Sequence, residues 1–281
     1  MFGMETLAIT YGLGCAITWG AGDFSGGFAS KKGNTLLVVL FSQLIGALML
    51  IGLVTIFSET MPALQHLLWG GLGGVFGSLG LIALYTALSA GKMSIVAPVS
   101  AVITAVVPII FSFSTEGVPK TTRLIGFLIA LVAVWVLSSY QSTDRVKKTD
   151  LYLALASGFG FGLFFVCIDR ASEGALFWPL VSARGASIIL ISLLLIISKG
   201  SSSPKKLPVM FIALAGILDS LGNVFFALAA QQGRLDLAAI LGSLYPVSTV
   251  FLAGIFLKER LQRRQWIGVV TAASALILIS L

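Results

Sequence analysis

Ten apolar runs, each close to the length of a bilayer-crossing helix, leave this chain very few folds. A spanning helix needs about 20 mostly apolar residues. By that ruler the candidates are Thr6–Phe28, Thr35–Phe57, Gln65–Ala90, Ser94–Phe113, Thr122–Tyr140, Leu151–Ile168, Ala175–Ile197, Leu207–Ala230, Leu235–Leu257 and Gln265–Leu281. The runs are continuous and do not alternate apolar with polar residues, which is the pattern of helices and not of a barrel. Polar punctuation such as Lys31-Lys32-Gly33-Asn34, Ser142-Thr143-Asp144-Arg145 and Gly200-Ser201-Ser202-Ser203-Pro204 separates them, and none of it is long enough for a soluble domain.

Composition points the same way. Hydrophobic residues make up 57% of the chain and charged ones 10%, whereas a soluble domain carries about a quarter charged residues. So few charges cannot cover a water-facing surface, and the expected fold is an all-α integral membrane protein. The 31 glycines fit that solvent, because glycine lets helix backbones approach closely where lipid removes the hydrophobic drive between helices. Gly70, Gly73, Gly74, Gly77 and Gly80 are read as such a packing stripe. Cys15 and Cys167 fall inside apolar runs and are read as buried small hydrophobes. No cleavable signal peptide is expected, since Met1–Thr10 has no Lys or Arg and carries Glu5.

The net charge of +7 concerns topology and not nucleic acid. Thirteen of the 18 Lys and Arg lie in the loops after runs one, three, five, seven and nine. Lys120, Arg123, Arg170 and Arg234 lie on the other side, and Arg184 is embedded. The positive-inside rule then places both termini outside.

An internal repeat organises the runs. With the chain offset against itself by 142 residues, Gly20 meets Gly162 and Trp19 meets Phe161. Gly74, Ser78 and Gly80 meet Gly216, Ser220 and Gly222, and Ala87 and Gly91 meet Ala229 and Gly233. Lys92 falls opposite Arg234, and Gly126 opposite Gly268. The predicted units are residues 1–142 and 143–281, each of five helices. Five is odd, so the second unit enters the membrane inverted, an architecture suited to alternating access.

Tyr245-Pro246 is followed by Phe256-Leu257-Lys258-Glu259-Arg260-Leu261 and then by Gln265-Trp266-Ile267-Gly268. That order resembles the drug/metabolite transporter superfamily, EamA type. A weaker echo runs through Ala97-Pro98, Pro108, Thr115-Glu116-Gly117 and Arg123-Leu124-Ile125-Gly126, and Thr18-Trp19-Gly20 resembles the family's start. The first half departs from the pattern: Lys120 stands at the usual polar turn, and Pro108 to Glu116 is shorter than Pro246 to Glu259. The resemblance implies ten helices around a cavity lined mainly by helices one, three, four, six, eight and nine. It implies transport of metabolites, without naming one.

Candidate site residues are the polar groups inside the apolar runs. An embedded ionisable group costs about 2.5–3.5 kcal/mol on insertion scales, so it normally faces the bundle interior or a wet cavity. Asp219 and Asn223, four residues apart, share a helix face. That face suits an ammonium partner or a proton-coupling carboxylate, or else a packing ion pair between Asp219 and Arg184. Trp19 and Asp23 share a face in the same way, a carboxylate beside an aromatic wall for an ammonium group. A hydrated Asp23 at the helix end is the alternative. Arg184 offers a fork for a substrate carboxylate, or a structural partner for Asp219 or Asp23. Gln43, Tyr85 and Tyr245 complete the candidate substrate-binding set. Pro98, Pro108 and Pro246 are expected to interrupt the fourth and ninth runs, freeing backbone carbonyls at a cavity or hinge.

The leading functional expectation is a secondary active transporter of small organic metabolites, amino acids or similar zwitterions foremost, working by alternating access. Transport of lipophilic cations or drugs, with Arg184 dispensable, is a second reading. A non-transporting scaffold or intramembrane enzyme is a third. Without HExxH, clustered His and Cys or a Ser–His pair, no catalysis, cofactor or metal is expected; the single histidine, His66, reads as interfacial. The expected partners are a small-molecule substrate, the lipid bilayer and a proton or another coupling ion, with no nucleic acid; monomer and homodimer both remain open. The expected location is the cell membrane.

Overall fold

The computed structural model describes residues 2–89, 93–138, 148–197 and 207–256, with Ile267, Gly268, Val270, Thr271, Ser274, Ala275 and Leu278. The described residues are helices and the short turns between them. In chain order the helices are α1 (Phe2–Lys32), α2 (Thr35–Ile56), α3 (Leu64–Ser89), α4 (Met93–Thr115), α5 (Thr121–Ser138) and α6 (Lys148–Ser172). There follow α7 (Phe177–Ile197), α8 (Val209–Gln232), α9 (Leu235–Gly242) and α10 (Tyr245–Phe256). The seven described residues from Ile267 onward are also helical. Most of the Phe256–Leu261 and Gln265–Gly268 signature, most of the tenth run and the Ser142 and Gly200 loops lie outside the described residues.

Among the described residues, five segments are long and apolar enough to cross a membrane: Thr35–Ile56, Leu64–Ala87, Tyr152–Ser172, Phe177–Ile197 and Val209–Gln232. Leu48, Leu128 and Ile189 stand exposed in the middle of their helices, where only lipid makes an apolar surface comfortable.

Of the two runs expected to be interrupted at proline, one is and one is not. The ninth is two helices, broken at Ser243 and Leu244 just before Pro246, which has no N–H to continue the ladder. Every residue of α9 is buried, so the break lies inside the protein. The fourth run is not interrupted: α4 continues through both Pro98 and Pro108. Membrane helices tolerate proline where neighbours serve the freed backbone groups, and α4 is packed against α6, α5 and α9.

The packing has a regular plan. Helix α1 lies along α8 and against α9 and α10, while α6 lies along α3 and α4. Helix α2 packs on α7 and α8, and α7 packs on α2 and α3. The plan maps onto itself when α1–α4 are exchanged with α6–α8 and the α9–α10 pair. The contacts repeat at the residue level. A Cβ at Gly80 would press on the Phe161 ring, and one at Gly222 on the Trp19 ring; the two contacts are related by the 142-residue offset. Likewise Gly162 faces Val107, and Gly20 faces Ser248 and Thr249.

One long-range contact fixes the start of α7. The Glu59 carboxylate, from the turn between α2 and α3, accepts hydrogen bonds from the N–H groups of Leu176 (2.7 Å), Phe177 (2.9 Å) and Trp178 (2.8 Å). The Trp178 indole N–H donates to the Glu59 carbonyl at 3.0 Å. A helix N-terminus presents unpaired N–H groups and a partial positive charge, so a carboxylate there serves both. Glu59→Ala should lower stability by about 1.5–3 kcal/mol, the range for hydrogen bonds to a charged group. Thermal unfolding of the purified variant checks this, and Glu59→Gln should fall between the two.

Candidate substrate cavity

A cavity sits where α1, α3, α6, α7 and α8 meet. It offers about 50 Å³ to water centres, within about 580 Å³ of empty space once its mouth is included. At about 10–15 Å³ per water centre this is room for several waters or for one small organic molecule.

Seven of the eight candidate residues line it: Trp19 and Asp23 from α1, Gln43 from α2, Arg184 from α7, Asp219 and Asn223 from α8, and Tyr245 from α10. Helices two and seven therefore join the lining that the family resemblance implies. Tyr85 does not line it. Its ring is buried and fills the space that Gly26 leaves on α1, a packing role open to any aromatic of that size.

The charges are arranged unequally. Arg184 Nη1 makes an ion pair with Asp219 Oδ2 at 2.6 Å and donates to the side-chain oxygen of Gln43. The guanidinium is thus tied to α8 and α2 together. Its Nε lies beside Gly46, on the helix-packing side, and neither Nε nor Nη2 has an acceptor. Asp23 lies nine residues before the end of α1, is 9% exposed and forms part of the cavity wall. It has no hydrogen-bond or ion-pair partner among the described residues, and its charge and that of Asp219 repel each other. With all three groups ionised, two carboxylates less one guanidinium leave the lining one net negative charge.

Arg184 is a poor place to bring a second carboxylate. Two like charges about 4 Å apart repel by about 4 kcal/mol at an effective dielectric of about 20, and Asp219 already occupies one edge of the fork. A cation beside Asp23 meets the opposite sign.

The rest of the wall is aromatic and small. Phe161, Phe164 and Phe165 line it from α6, opposite Thr104 of α4. Trp19 stacks on Phe165 with ring centres 5.1 Å apart, and its indole N–H donates to Asn223 Oδ1 at 2.9 Å. The indole polar tip is therefore already engaged. Buried Tyr245 places its hydroxyl near Ser100. The phenylalanines were not among the sequence candidates. Their spacing, i, i+3 and i+4, places them on one helix face, and Phe161 occupies the Trp19 position of the second repeat.

A second polar cluster lies at the corner between α8 and α9. Arg234 donates from Nη1 to the Glu116 carbonyl (3.0 Å) and from Nη2 to the Gly117 carbonyl (2.6 Å) and Asp236 Oδ2 (2.9 Å). Glu116 Oε1 accepts from the Leu235 N–H at 3.3 Å. The hydrogen bond to Asp236 pushes the Arg234 guanidinium above its ordinary range. The cluster fastens the end of α4 to the start of α9.

The family match lies in the second half of the chain. Residues 149–281 match the EamA-like transporter family, beginning six residues into the predicted second unit. An uncharacterized protein of Methanocaldococcus jannaschii is 29% identical over 131 residues, which are 47% of this chain and 94% of that protein. A protein of Archaeoglobus fulgidus described as an uncharacterized transporter is 22% identical over 204 residues, 72% of each chain. A protein of known crystal structure shares the fold, with a TM-score of 0.75 at 17% identity over 96% of this chain and 95% of that one. Residues 149–281 thus resemble an EamA-like transporter domain, and the chain is a multi-pass integral membrane protein.

Proposed function

We propose that this protein is a secondary active transporter of small organic metabolites, built as two inverted five-helix units, residues 1–142 and 143–281, that alternate access to the cavity. The observation that carries the reading is a charged, hydrated-size cavity whose walls come from both units at corresponding positions, Trp19 beside Gly222 and Phe161 beside Gly80. A polar void is costly in a membrane bundle unless something polar passes through it. The self-mapping packing plan supports two equivalent units, and so does a relative of which a match half the length of this chain spans 94%. Flux of candidate metabolites into proteoliposomes tests the reading; sealed vesicles showing no flux of any metabolite that binds the purified protein would overturn it.

The Arg234 cluster serves as a fastening between the two units. It joins α4 of the first unit to α9 of the second through one side chain, so moving the units apart there requires its release. Loss of about 1–2 kcal/mol of closure changes an open population by about 5- to 30-fold. Arg234→Gln should therefore speed modification of a cysteine introduced at Ser78 by a membrane-impermeant thiol reagent, in a background lacking Cys15 and Cys167. An unchanged rate from either side would remove Arg234 from this role.

Of the cargoes the sequence leaves open, those bearing an ammonium group suit the walls best. Asp23 is unclaimed, whereas Arg184 already holds one carboxylate, that of Asp219, together with Gln43, both through Nη1.

A further inference from the structure

We infer that the cavity selects an organic cation, an amine with a compact apolar or aromatic body and no carboxylate, and that Asp23 is its anchor. The inference rests on the transport reading above and narrows it from metabolites at large to one charge class.

Three independent observations carry it. Asp23 is a carboxylate more than nine-tenths buried, faces the cavity and has no partner among the described residues. A group so placed is costly unless a charge arrives to meet it. The second observation is the sum of the lining charges: Arg184 is neutralised by Asp219 at 2.6 Å, so that with Asp23 ionised one negative charge is left for a ligand to balance. A monocation brings the site to neutrality. A zwitterion leaves the imbalance in place and sets its own carboxylate against Asp219, and an anion worsens it. Third, the remaining wall is Trp19, Phe161, Phe164, Phe165 and Tyr245, surfaces that accept an apolar body and attract a cation through the ring quadrupole. The polar tip of Trp19 is already bound to Asn223, so the indole contributes its ring and not a donor.

The residues divide the work. Asp23 supplies the charge that selects. The Arg184–Asp219–Gln43 set holds α7, α8 and α2 in register, and the Asp219 carboxylate beside the guanidinium repels a second carboxylate brought there. Exclusion of amino acids is thereby a consequence of the same ion pair that stabilises the bundle.

The test uses three probes sharing one phenyl body: 2-phenylethylamine, phenylalanine and 3-phenylpropanoate, titrated against the purified full chain by calorimetry. The amine should bind at least about 10-fold more tightly than either carboxylate-bearing probe. Asp23→Asn, close to isosteric, should weaken the amine by about 10- to 100-fold, the range for a hydrogen bond to a charged group. Asp23→Glu should retain the preference for the amine, and unfolding midpoints of both variants show that they are folded. Phenylalanine binding as tightly as the amine would overturn the inference. So would the absence of amine binding, or an amine affinity within about threefold of wild type in a folded Asp23→Asn protein. The transport reading fails separately: an amine that binds as expected yet never crosses a sealed membrane would leave the site and remove the transporter.

Discussion

Arg184→Met alone should cost the protein about 3–5 kcal/mol of stability, the range for removing one partner of a buried ion pair, and Arg184→Met with Asp219→Leu should recover most of it. The asymmetry follows from what each change leaves behind. Arg184 is 6% exposed at its side chain, Asp219 is 20% exposed, and they meet at 2.6 Å. Without Arg184, Asp219 is an uncompensated carboxylate near the middle of α8, beside a cavity that already holds Asp23. Gln43 also loses the donor its side-chain oxygen accepts. Removing both charges leaves apolar side chains of similar length in an apolar bundle, which is often neutral or even favourable. Unfolding midpoints of the two single variants and the double, compared as a cycle, give the coupling directly. Additive losses, with the double variant the least stable of the three, would show that the pair is not a unit.

That pairing was one of two roles the sequence left open for Arg184, and the reason shows which features are legible without coordinates. The spanning runs are legible because lipid enforces length and polarity on each of them, one segment at a time. The Trp19–Asp23 and Asp219–Asn223 faces are legible for a related reason: helical period alone brings residues four apart onto one side, and all four stand on the cavity wall. The partner of an embedded charge is not local. Arg184 reaches residues on two other helices, and Glu59 caps a helix that starts more than a hundred residues later. Nothing in the neighbourhood of either residue encodes that.

Tyr85 shows the opposite limit. A polar-tipped aromatic inside an apolar run reads the same whether it walls a cavity or fills a gap over a glycine, and here the gap at Gly26 decides. The phenylalanines of α6 were hidden for a complementary reason. Phenylalanine in a membrane helix signals nothing, and only the repeat, by placing Phe161 where Trp19 stands, marks it. The prolines of α4 misled because proline removes one N–H but does not oblige a well-packed membrane helix to stop.

Gly74→Ala should destabilise the protein by about 1–3 kcal/mol or more, the usual cost of overfilling a tight interface, although it adds a single methyl group. A Cβ at Gly74 would fall on the Ala183 carbonyl, and one at Gly70 on the Pro179 carbonyl, each closer than real Cβ contacts come. Both obstacles are backbone, which cannot rotate aside. The pairs Gly70–Pro179 and Gly74–Ala183 are one helical turn apart on both α3 and α7, so the two helices run in contact along their main chains. Ser182 Oγ donates to the Leu67 carbonyl (2.7 Å) and Ser187 Oγ to the Gly74 carbonyl (2.8 Å), bonds that such an approach makes possible and a wider spacing would break. Ala183 also immediately precedes Arg184, so displacement of α7 pulls the guanidinium from Asp219 and Gln43. The substitution should therefore lower both the unfolding midpoint and the affinity for whatever the cavity binds. Gly52→Ala is the control, since a Cβ there meets nothing within 4 Å; removing a helix-interior glycine should leave stability unchanged or raise it by up to about 0.5–1 kcal/mol. Equal midpoints for the two variants would mean that helix propensity, and not the close approach of α3 and α7, governs the glycine stripe.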